Sequence, residues 1–336
     1  MSAMRSGLRP TLGKMVKYGF VKTVGVTPML IEREELKPYE RITDAQRKIR
    51  EGGDFIDEVL DRFLNGTHMT GIKLPFPLFD NVFRLREQEI TVLGGINGAG
   101  KSLYASQVMI NAMTHDYPCL SVSLEMSGPQ QVARMIRQCS LQKLPSMEAV
   151  LSFAQWSKDK LYFYDQYGSV DPKTLASVIR YAVDKYKVKF VLVDSLMTMS
   201  MASDDWNGQK AVVNMLANAA RALDVHIMLV CHARKGQDVK TRIDKWSISG
   251  SSDITNRADN VITLGREYEK DGTDAYMSLC KARHWDGAEM DLDLCFDMAS
   301  LNFYTHDLPP KQTGMDEKVR PNGGVVGELE TMHLND

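Results

Sequence analysis

The sequence predicts an α/β fold: a mostly parallel sheet with helices on both faces and a partly antiparallel C-terminal extension. Three observations carry this. Between about 89 and 232, short apolar runs alternate with amphipathic runs of helical length, the order that builds a parallel sheet from crossover units. The first apolar run ends in a glycine-rich turn, "GGINGAGKS" at 94–102. After about 260 the runs follow one another as consecutive strands.

Residues up to about 40 show no clear periodicity. Met1 to Leu30 carry Arg5, Arg9, Lys14, Lys17 and Lys22 and no acid; this suits a transit peptide or, more plainly, a basic arm. "DFIDEVLDRFLNG" then reads as one amphipathic helix. Ile56, Val59, Leu60, Phe63 and Leu64 share a face, Asp54 suits the N-cap, and Asn65-Gly66 suit the end. That face must dock on its own domain or on a neighbouring subunit.

The alternating region starts with the strand "EITVLGG" and a helix from Lys101 to about Met113. "PCLSVSLE", "KLYFYDQ", "VKFVLVDS" and "VHIMLVCH" follow as strands. "GPQQVARMIRQCSL", "PKTLASVIRYAVDKY" and "GQKAVVNMLANAARAL" lie between them as helices. "NVITLGR", "AYMSLCKAR" and "EMDLDLCFD" form the strand-only extension. The polar, Gly- and Pro-punctuated end reads as a flexible tail. The expected division is 1–70 as arm and linker helix, 71–305 as core, and 306–336 as tail.

Charge excludes some classes. Lys plus Arg total 41 and Asp plus Glu 43, a net −2, so any nucleic-acid surface must be local. The five cysteines form no C-x-x-C pair, which fits reduced thiols in a cytoplasmic protein and argues against structural zinc. No apolar run is long enough to cross a bilayer.

Gly95 to Ser102 fit G-x-x-x-x-G-K-S. Backbone N–H groups of Asn97, Gly98, Ala99 and Gly100 can turn inward around phosphate oxygens. Lys101 can reach the β- and γ-phosphates, and the Ser102 hydroxyl can ligate Mg²⁺. A strand before and a helix after make this ATP site specific. Asp194, after four apolar residues of a buried strand, suits the Mg²⁺ water shell. Glu125, ending another strand, suits the activation of an attacking water; capping the next helix is the plainer alternative. His232, ending a further strand, suits a γ-phosphate sensor, or a buried structural histidine. Lys281 and Arg283 alternate on a late strand and so face one way. They suit cations reaching a neighbour's ATP, or charges on an edge strand.

Together, "SLEMS", the "VDS" strand and the late K-x-R resemble the hexameric replicative DNA helicases: the bacterial DnaB type, phage primase-helicases and mitochondrial Twinkle. The resemblance covers about 71–303. It implies a RecA-like core, a ring of six with ATP between subunits, and translocation on single-stranded DNA, usually 5′ to 3′. It implies Lys101 and Ser102 on nucleotide and Mg²⁺, Asp194 as the Walker B acid and Glu125 as catalytic base. It makes His232 the sensor and Lys281 with Arg283 the groups acting in trans. The bacterial type usually has Gln at the sensor, so His232 is closer to the phage and mitochondrial branch; the compact length is most like the phage-encoded members. Primase, polymerase and loader would then be separate proteins. "VDS" is shared with RecA-like recombinases and clock-type regulatory ATPases, which stand as the alternatives.

Two loops are expected to face DNA because they follow Asp194 and His232: about 197–208, and about 235–252 with Lys235, Lys240, Arg242 and Lys245 for phosphates. Trp246 suits base stacking or core packing equally.

Overall fold

In the computed structural model the described residues are 21–24, 27–30, 50–64, 70–166, 168–196, 205–233, 242–248, 252–270, 273–285 and 289–315. The chain divides into two units, Met1–His68 and Met69–Asp336.

In the first unit, β1 (Val21–Val24) and β2 (Thr27–Leu30) pair antiparallel. The helix α1 spans Ile56–Leu64. It begins after a turn of 3-10 helix at Gly52–Phe55, and Asp54 accepts a hydrogen bond from the Glu51 N–H rather than capping α1 itself. Its Ile56, Val59, Leu60, Phe63 and Leu64 are all exposed.

In the second unit, β3 (Ile90–Gly95), β4 (Cys119–Ser123), β5 (Leu161–Phe163), β6 (Phe190–Asp194) and β7 (His226–His232) alternate with helices α2 (Lys101–Thr114), α3 (Gly128–Ser140), α4 (Met147–Trp156), α5 (Pro172–Tyr186) and α6 (Trp206–Leu223). A short helix α7 (Ser252–Arg257) leads into β8 (Asn260–Lys270), β9 (Thr273–Ala282), β10 (Met290–Asp297) and β11 (Asn302–Tyr304). One nine-stranded sheet runs β11-β10-β9-β8-β3-β7-β6-β4-β5. The pairs from β8 to β5 are parallel. The pairs β8–β9, β9–β10 and β10–β11 are antiparallel. Both halves of the expected architecture are present.

Strand periodicity explains the two layers. Leu93, Phe190, Leu192, Met228 and Val230 face the α2–α3–α4 side. Their neighbours Val92, Val191, Val193, Ile227 and Leu229 face α5 and α6. Alternate residues of each strand thus fill opposite cores, which is why these strands read as continuous apolar runs. Asp171 and Asp205 cap α5 and α6. Ser127 caps α3, with Gln130 completing a capping box.

Some elements were missed. α4 was legible: Ser146 caps it and Glu148 occupies its first turn. β11 is three residues long, too short for a periodic signal. The core also extends beyond 305. The Thr313 N–H donates to Cys139 O (3.0 Å), and the Gln312 amide donates to Ser140 O (3.1 Å). Residues 316–336, most of the expected tail, lie outside the described residues, as do 1–20 of the expected basic arm.

Candidate nucleotide site

Parallel register brings the predicted residues to one edge of the sheet. Gly95 at the end of β3 lies beside His232 at the end of β7. Ser123 at the end of β4 lies beside Asp194 at the end of β6. The strands are separated in sequence, yet their C-terminal ends are neighbours because the order is β3-β7-β6-β4. There they open on a cavity of ≈ 530 Å³ lined by Asn97, Gly98, Gly100, Lys101, Ser102, Glu125, Arg134, Asp194 and His232.

The loop's backbone requires its glycines. Gly98 has φ +82° and Gly100 has φ +93°, a region where a side chain is strained. Gly100 is also covered by the Phe303 ring, 2.7 Å from where a Cβ would stand. Phe303 is therefore a support of the loop that sequence reading did not single out.

Lys101 is buried at 6 % exposure. Its ammonium donates to Gly95 O and Ile96 O, both at 2.9 Å, and lies 3.4 Å from His232 Nδ1. Burial pulls its pKa down, while Asp194, Cys231 and Glu125 hold it up. Asp194 is also buried; desolvation raises its pKa, and a hydrogen bond from the Ser102 hydroxyl opposes this. The pair offers two hard oxygens, a donor set that suits Mg²⁺. An Mg²⁺ ion there would oppose the cost of burying the carboxylate. His232 has its pKa lowered, first by burial and then by Lys101, with Glu125 opposing. A neutral imidazole is thus favoured, able to donate at one nitrogen and accept at the other.

Glu125 stands two residues beyond β4, and the capping role falls to Ser127 instead. Its Oε1 accepts a hydrogen bond from Ser195 Oγ (2.7 Å), and His232 Nε2 lies 3.9 Å from the same oxygen. Arg134, on α3, was missed by sequence reading. It lines the cavity, and its charge lowers the pKa of Asp194. The usable signal was an arginine in the second turn of the helix that follows a strand-end glutamate.

Lys281 and Arg283 are not at this cavity. As their alternation implied, they reach one place, the C-terminal carbonyls of α7 and the turn after it. Lys281 Nζ donates to Thr255 O (2.8 Å), Asn256 O (3.1 Å) and Ala258 O (2.8 Å). Arg283 donates to Asn256 O (2.7 Å), and its Nε lies 3.7 Å from Asp259. Free carbonyls at a helix end attract cations. Burial and the adjacent Arg283 push the Lys281 pKa down to about 8. The edge-strand alternative does not hold, because β9 has β8 and β10 on either side.

Of the expected DNA contacts, Lys235, Lys240 and residues 197–204 lie outside the described residues. Arg242 sits over the Tyr276 ring and pairs with Asp291 and Asp293 of β10. Lys245 lies 3.8 Å from Glu289. Trp246 is 61 % exposed, which removes core packing as its role. Asp205 caps α6 by accepting from the Gly208 N–H (2.8 Å).

All five cysteines are free, and no cluster of metal-ligating residues occurs among the described residues. Among them, no helix is long and apolar enough to cross a membrane.

A RecA-like sheet with a phosphate loop and convergent Glu125, Asp194 and His232 at its C-terminal edge defines a P-loop ATPase. The family model described as "ATPase: KaiC" matches residues 69–291, and the chain belongs to that family. It is 26% identical over 248 residues to the replicative DNA helicase DnaB of Helicobacter pylori (strain J99 / ATCC 700824), covering 65% of this chain and 50% of that protein. The chain thus spans about half the length of that curated relative. In fold it is similar to an ATPase domain solved on its own, with TM-score 0.66, 18% identity, and coverage of 76% of this chain and 99% of that one. It is also similar to a DnaB-like replicative helicase whose structure was described with its interactions with primase. There the TM-score is 0.65 and the identity 17%, covering 80% of this chain and 72% of that one.

Proposed function

We propose that this chain is an ATP-dependent replicative DNA helicase that assembles as a hexameric ring and moves 5′ to 3′ along single-stranded DNA. One observation carries the reading: the lysine-bearing segment after β7 begins next to His232, whose ring touches the P-loop lysine. Loss of a γ-phosphate therefore has a short route to a loop with basic residues. The likeness to a helicase relative supports the same reading. Lys101, Ser102 and Asp194 hold nucleotide and Mg²⁺, Glu125 activates water, His232 senses the γ-phosphate, and Lys281 with Arg283 act in a neighbour's site. Lys235, Lys240, Arg242 and Lys245 track DNA phosphates. Separate primase, polymerase and loader proteins are its partners.

Unwinding of a forked duplex with Mg-ATP is expected, with a 5′ tail required on the strand bound. Unwinding that needs only the 3′ tail would reverse the polarity. ATP turnover indifferent to DNA would favour a protein-binding regulator, the reading that the family's name brings forward.

Changing Lys240, Arg242 and Lys245 together to Ala is expected to weaken binding to single-stranded DNA and to flatten its salt dependence, because each phosphate contact releases counterions. Since Arg242 and Lys245 already pair with acids at β10 and just before it, DNA must compete for them. Unchanged affinity at low and high salt would remove this loop from the DNA path.

Ring assembly is assigned to α1, whose exposed apolar face needs a partner. Exposed Leu144, Met147 and Leu151 at α4 of another copy offer an apolar surface for it. Removing residues 1–65 is expected to leave a folded core that elutes as monomer on sizing with light scattering. Rings that persist would refute the assignment.

A further inference from the structure

We infer that Ser195 is a positioning residue for Glu125, fixing which carboxylate oxygen is left to take the proton of the attacking water. The inference rests on the reading of Glu125 as catalytic base.

Ser195 directly follows β6 and is fully buried, whereas the Glu125 side chain is 44 % exposed. A carboxylate on a half-exposed stem rotates easily, because its terminal torsion is broad. The Ser195 hydroxyl donates to Oε1 at 2.7 Å and removes that freedom. His232 Nε2 approaches the same Oε1, at 3.9 Å. Both neighbours therefore address one oxygen, and Oε2 is left to face the cavity.

The sheet holds this spacing. The Leu124 N–H donates to Asp194 O (3.1 Å), so the chain leaving β4 is tied to the chain leaving β6, one residue before each partner. The donor thus comes from a rigid, buried strand end and the acceptor from a flexible side chain. Pre-ordering of this kind acts on the chemical step and leaves nucleotide binding alone.

The test uses the full chain with Mg-ATP and single-stranded DNA, and three variants: Ser195→Ala, Glu125→Gln and the double variant. The Ser195→Ala protein is expected to melt like wild type, to keep KM for ATP, and to lose about tenfold in kcat, the value of one hydrogen bond. The glutamine of Glu125→Gln still accepts from Ser195 but takes no proton. In that background, single-turnover hydrolysis is expected to show no further loss on adding Ser195→Ala. An equal loss in both backgrounds, a change in KM alone, or an unchanged kcat overturns the inference. Wild-type turnover by Glu125→Gln alone would overturn the base assignment itself, and is read without touching Ser195.

Discussion

Glu125→Gln is expected to lower ATP turnover by about 10²- to 10⁴-fold, the range for loss of a general base, while ATP binding stays intact. The substitution keeps the side chain's shape and its acceptor for Ser195, so the local hydrogen bond survives. Of the two carboxylates among the described residues that line the cavity, it removes the one that is not buried. Asp194, the other, is buried and hydrogen-bonded to Ser102, which commits it to the cation side of the site. Turnover by radiolabelled phosphate release and affinity by a fluorescent ATP analogue would be measured on the same preparation. Undiminished turnover would mean that another group moves the proton.

Arg283→Ala is expected to cost about 10³-fold or more in turnover, as loss of a transition-state cation does. Arg283 is held by carbonyls at the end of α7, away from the cavity of its own chain. A direct effect on hydrolysis must then come through a second copy. Mixing supplies the control. A Lys101→Ala chain lacks its own phosphate site but keeps Arg283, and an Arg283→Ala chain has the reverse defect. Mixed assemblies should recover part of the turnover that neither protein has alone. Loss of turnover without recovery on mixing would point to a structural role, since the substitution also breaks the contacts with Asn256, Ala258 and Asp259. Full turnover by the variant alone would end the trans assignment.

Legibility followed the range of the interaction. α5 and α6 were readable because their caps and apolar stripes lie within one segment. The site's members were readable one at a time, since each sits at the end of an apolar run. Arg134 was not, because nothing local separates it from any arginine on an amphipathic helix; only α3 packing beside the cavity does so. Nor was the pairing of Arg242 with Asp291 and Asp293, residues far apart in sequence that meet only because β10 lies two strands from β8.

By itself the sequence determined the α/β class, the phosphate loop and the strand ends that carry Glu125, Asp194 and His232, because turn chemistry and strand periodicity are local. Tertiary structure decided the rest. Strand order put four separate strand ends at one cavity. It also set Ser195 on one oxygen of Glu125 and parked Lys281 and Arg283 on α7. Those are distances between segments, and only the packed sheet determines them.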